Sequence, residues 1–147
     1  MKRAFVATLA IVVLFAGNGA LGDKPGASEY QPDVKVKPLL KTVTTSLGQS
    51  ITYPSTPEVT ALEVEIAPGK ETGWHQHPVP GYGYILSGSV VIEVQGGEQF
   101  RYEAGEAFVE VINTPHNGKN VGTGPVKILV FFSGEAGKPY TVRTSKQ

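Results

Sequence analysis

Between Glu58 and Ile66 the chain alternates, with Leu62, Val64 and Ile66 apolar and Glu63 and Glu65 charged between them. A period of two places each set on its own face of an extended strand, so the segment predicts a half-buried β-strand that Ala67-Pro-Gly69 ends. Further strands are predicted at Tyr82–Leu86, turned by Ser87-Gly88, and at Val90, Ile92 and Val94. Gln95-Gly96-Gly97-Glu98 then reads as a hairpin returning through Phe100–Tyr102. Gly105 opens a strand over Ala107–Ile112. Val126–Phe132 is apolar on both faces except at Lys127, which predicts cover by a partner subunit on one of them. Val34–Val43 and Gln49–Tyr53 are also β-compatible. No 3.6-residue period follows residue 22. Short strands punctuated by 18 glycines and 11 prolines predict an all-β sandwich or barrel in a single domain.

The ends of the chain read differently. Met1-Lys2-Arg3 is basic, Ala4 to Ala16 is an apolar run, and small residues follow up to Gly22. That order predicts a signal peptide over residues 1–22, too short to span a bilayer permanently, and so a secreted or periplasmic protein. Residues 23–57 read as an N-terminal arm and outer strands, with the stretch to Asp33 polar and broken by proline. Residues 58–137 form the barrel, and 138–147 a polar tail.

Charge narrows the partners. The 13 Lys+Arg balance the 13 Asp+Glu. Removal of Lys2 and Arg3 leaves 11 basic against 13 acidic residues, a net charge of −2. Nothing forms a basic patch, so nucleic acid is not an expected partner. No membrane segment is expected after the signal, and without cysteine there are no disulfides.

The chemistry gathers on the 3 histidines. His75 and His77 are two apart and share a strand face; His116 follows a hairpin and one more strand, so a recrossing sheet could return it to the pair. Converging imidazoles are ligands for transition metals. Gly69-Lys-Glu-Thr-Gly-Trp-His75-Gln-His77, ending at Tyr84-Ile-Leu-Ser-Gly88, and Gly105 to Asn120 through Pro115-His116, resemble the two signature stretches of the cupin superfamily. The resemblance implies a cupin jelly-roll barrel with His75, His77 and His116 as metal ligands. It departs at Gly81, where the first signature has a glutamate that is the fourth ligand, and at Val111 and Asn113, where the second has proline and glycine.

The resemblance implies a homodimer and one divalent transition metal (iron, zinc, manganese or nickel). The favoured function is a metal-dependent enzyme on a small molecule, by oxygenase-type or Lewis-acid chemistry. The alternative is a non-catalytic periplasmic barrel binding a metal or small ligand; a metal-free assembly module is a third. Glu110 reads as a solvated strand position or, if it points inward, as a ligand, general base or partner to an imidazole. Tyr82 and Tyr84 are candidates to orient substrate or donate a proton, or else pack. Glu71 and Glu106 are weaker carboxylate candidates. Asn120 is expected to close a turn through its amide.

Overall fold

The computed structural model describes residues 31–145. The predicted signal over residues 1–22, most of the polar stretch before Asp33, and the last two residues of the tail lie outside them. The strands are β1 (Pro57–Ile66), β2 (His75–Gln76), β3 (Gly81–Ser87), β4 (Ser89–Val94), β5 (Gln99–Glu103), β6 (Ala107–Val109), β7 (His116–Asn120), β8 (Val126–Glu135) and β9 (Val142–Arg143). They form two antiparallel sheets, ordered β1-β8-β3-β6 and β5-β4-β7-β2-β9. The fold is an all-β jelly roll. All nine strands lie in one compact unit, Pro38–Gln147.

The alternation in β1 sets its inward face, with Ile66 buried and Leu62 and Val64 packed against the core. From the facing sheet Val90, Ile92 and Val94 enter the same core, and β8 adds Val126, Ile128, Val130 and Phe132. The predicted hairpin forms: the Val94 amide donates to the Glu98 carbonyl at 2.8 Å. Gly96 and Gly97 there adopt φ of 112° and 104°, which side-chain-bearing residues avoid.

One expectation, for the N-terminal arm, is corrected. Val34–Val43 and Gln49–Tyr53 form no strand; they meet at the isolated bridge Thr44↔Ser50 and where the Ile51 amide donates to the Val43 carbonyl at 3.1 Å. Leu39, Leu40 and Val43 are exposed, so β propensity has no buried face to act through. Instead residues 45–49 make a clamp. Thr45 Oγ1 accepts from the Gln49 amide at 3.2 Å. Gln49 Oε1 accepts from the Ile112 amide at 2.8 Å, and its Nε2 donates to the Ile112 carbonyl at 2.7 Å. The polar tail pairs as well. Residues 142 and 143 return as β9 and pair with β2, His75 opposite Arg143 and Gln76 opposite Val142. Unpaired backbone on β2 offered this segment a ladder, a gain that sequence polarity does not report.

Candidate metal centre

The sheet register gathers the histidines. His75 and His116 are directly opposed across β2 and β7. His77, two residues on, is buried and bridges Ile112. One ligand nitrogen from each ring lies within 4.8 Å of the other two. Ring centroids are separated by 4.9 Å for His75–His77, 4.4 Å for His75–His116 and 5.0 Å for His77–His116.

Each imidazole is oriented by a backbone carbonyl. Nδ1 of His75 donates to Gly73 at 2.7 Å, that of His77 to Tyr140 at 2.9 Å, and that of His116 to Thr114 at 2.9 Å. A carbonyl can only accept, so Nδ1 carries the proton and Nε2 keeps its lone pair. Burial lowers all three basicities, His77 to about 3 and His116 to about 4, and for His77 and His116 the proximity of the other rings adds to it. At neutral pH the trio is uncharged and ready to ligate. His116 Nε2 is buried without a hydrogen-bond partner.

Two supports were not legible in the sequence. The Tyr140 carbonyl comes from the returning tail, and Thr141 Oγ1 stands 3.0 Å from the same His77 nitrogen. The turn before His116 passes through Asn113 at φ 50°, the one non-glycine residue with positive φ among those described. That is where the second signature has glycine, and asparagine is among the few residues that tolerate the conformation.

Glu110 points inward. Its Oε2 is buried, has no hydrogen-bond partner, and lies 3.7 Å from His116 Nε2. Burial raises its carboxyl to about 7. The solvated-strand reading is therefore corrected: Glu110 lines the cavity together with His116 and Phe132. Phe108 and Glu110 face the interior.

Tyr82 and Tyr84 do not join the site. Gly81 and Gly83 face inward, because a Cβ at these positions would meet Phe132 and Glu110, or Phe108. The tyrosines between and after them consequently face out, and neither lines the cavity. Glu71 accepts from Asn117 Nδ2 at 3.0 Å, and Glu106 accepts from the Glu103 amide at 2.8 Å; both serve local structure. Asn120 closes its turn as expected, donating to the carbonyls of Ile66 at 2.8 Å and Gly124 at 2.9 Å.

Beside the histidines opens a cavity of about 550 Å³, walled by Leu62, Val64, Ile92, Ile128 and Phe132, with Arg143 the sole arginine or lysine among the described residues that line it. An apolar chamber with a few convergent polar groups is the usual form of a small-molecule site. The donor set also suits a divalent transition metal: three neutral imidazoles with free Nε2 atoms and a buried carboxylate beside one of them.

Comparison with known proteins agrees. The cupin domain family matches residues 62–132. Among solved structures, an oxalate decarboxylase from Lactobacillus farciminis in complex with formate is 26% identical with a TM-score of 0.52, over 58% of this chain and 26% of that one. An oxalate oxidase in complex with glycolate is 26% identical with a TM-score of 0.50, over 58% of this chain and 45% of that one. The oxalate decarboxylase of Bacillus subtilis, described with Mn(II) centres, shares the fold at 24% identity and a TM-score of 0.52, over 60% of this chain and 24% of that one. The chain thus spans less than half the length of each of these relatives. No curated protein sequence matches it. The jelly roll, the paired signatures and the family match together identify residues 62–132 as a cupin domain.

Proposed function

We propose that this protein is a metal-dependent enzyme acting on a small molecule inside the barrel, with His75, His77 and His116 holding one divalent ion. The observation that carries the reading is the convergence of three neutral imidazoles, each locked by a carbonyl at Nδ1, on the edge of an apolar cavity. Such an ion supplies Lewis-acid polarisation or, if it is iron, oxygen chemistry. The chain's own residues do the rest. The carbonyls of Gly73, Thr114 and Tyr140 hold the imidazole rings with Nε2 free for the ion. Leu62, Val64, Ile92 and Ile128 exclude water and receive the carbon skeleton of the substrate. Arg143, at the end that β9 contributes, favours a ligand carrying negative charge. The complexes of the oxalate enzymes with formate and glycolate support a small-molecule substrate of this size.

Export and dimerisation belong to the same proposal. Export rests on the apolar run Ala4–Ala16, and dimerisation on the apolar outer face of β8.

The test is elemental analysis of untagged protein purified from its own compartment, alongside His77→Ala. About one equivalent of a single transition metal, lost in the variant, supports the reading and selects iron, zinc, manganese or nickel chemistry. Retention of metal by His77→Ala, or no metal in either protein after reconstitution, overturns it. Bound metal with no turnover on acid, ester and dioxygen panels would favour the binding-barrel alternative.

A further inference from the structure

Gly81 and Glu110 are cross-strand neighbours. The β3–β6 register pairs Tyr82 with Val109 and Gly83 with Phe108, so the next rung sets Gly81 against Glu110. The Glu110 amide donates to the Gly81 carbonyl at 2.8 Å, which confirms that rung. Opposed residues in antiparallel strands project from the same face. Here that face is the interior. A Cβ placed on Gly81 would come within 2.6 Å of Phe132 Cε1 and 3.1 Å of Glu110 Cγ. The volume into which a side chain at position 81 would grow is thus already filled, partly by the Glu110 side chain itself.

We propose that Glu110 supplies the metal-ligating carboxylate that Gly81 cannot, so that the fourth protein ligand has moved one strand sideways. The proposal rests on the three-histidine reading above. Three observations beyond the register carry it. Glu110 Oε2 and His116 Nε2 are both buried and both without a hydrogen-bond partner. Their separation of 3.7 Å is too long for a hydrogen bond between them, so neither satisfies the other. Two atoms bound to one ion at about 2.1 Å each lie at most about 4.2 Å apart, a limit this pair meets. An ion between them would satisfy both atoms at once. No lysine or arginine among the described residues forms an ion pair with Glu110. The glycine at 81 then follows physically: it leaves the room that Glu110 and Phe132 occupy.

The experiment is calorimetric titration of Mn(II) into the metal-free full chain, comparing wild type with Glu110→Gln. Glutamine keeps the size of the side chain and removes its charge. The expected result is one site in wild type and a loss of more than about a hundred-fold in affinity in the variant, beyond the range typical of a residue that only orients a ligand. A smaller loss overturns the proposal and leaves the histidine site standing. Absence of binding in both proteins overturns the histidine reading as well, which separates the two failures. Infrared difference spectra of wild type provide a measurement independent of whether the variant folds. A carboxylate stretch that shifts on Mn(II) addition supports coordination, and an unchanged carboxylate region overturns it.

Discussion

At the scale of the residue, Gly81 shows how an absent side chain is enforced by its neighbours. Alanine there would drive its Cβ to 2.6 Å from the Phe132 ring, which itself packs 4.6 Å from His77 between ring centroids. Gly81→Ala should therefore cost about 1–3 kcal/mol of stability, as overpacking does, and chemical denaturation will show it as a lower midpoint. The titrating residues give a pH prediction for the metal-free protein. The histidine basicities are depressed in the fold, so their contribution is complete above about 6.5 and is lost as pH falls towards about 3 to 4. Glu110 has the opposite sign: raised from 4.5 to about 7, it contributes fully below 4.5 and loses that contribution as pH rises through 7. Metal-free wild type should accordingly lose stability below pH 6, and Glu110→Gln should gain relative to wild type on the alkaline side of 7. Melting temperatures across pH 4–8 check both directions; a flat difference between the two proteins would count against the inward, desolvated carboxyl.

At the scale of the element, the returning tail and the clamp are the features that propensity did not announce. β9 contributes two paired residues, yet its flanks place the Tyr140 carbonyl and the Thr141 hydroxyl on His77. Ending the chain after Lys138 should leave the sheets formed by far-UV circular dichroism and lower metal affinity by about 10–100-fold, the usual effect of losing a group that orients a ligand. An unchanged affinity would mean that the imidazole needs no such support. The clamp acts through Gln49, whose amide satisfies both the amide and the carbonyl of Ile112. Gln49→Ala leaves two backbone groups short of partners and should cost about 1–3 kcal/mol, read from urea midpoints.

At the scale of the whole molecule, the proposed dimer contact falls on the outer face of the β1-β8-β3 sheet. Ala61, Phe131 and Tyr82 form one cross-strand row, and Leu129 and Tyr84 sit together in a neighbouring one. Phe131 is 43% exposed and Val59 70%, an apolar surface that solvent disfavours. The tyrosines first considered for chemistry therefore fit a contact surface between subunits. Light scattering should give a dimer for wild type and a monomer for Phe131→Glu, whose charge would be buried at the contact. A monomeric wild type would remove the contact.

What the sequence determined alone is what depends on local period and on rare residue types. Alternation in Leu62–Ile66, the double glycine of the hairpin, and three histidines at signature spacing each carry their meaning within a few residues, so the barrel and the triad were legible. Glu110 was not, because Phe108 and Glu110 share one face of their strand while Val109 and Val111 share the other, and periodicity cannot choose between two faces that both hold apolar residues. The choice came from pairing with a distant strand: the rung that joins Glu110 to Gly81 sets both towards the interior. The pairing of the tail was hidden for the same reason. Its polarity is genuine, but the unpaired edge of β2 that receives it exists only once the sheets have formed. Pairings between segments far apart in the chain decided the surroundings of the three histidines, and such pairings leave no period to read.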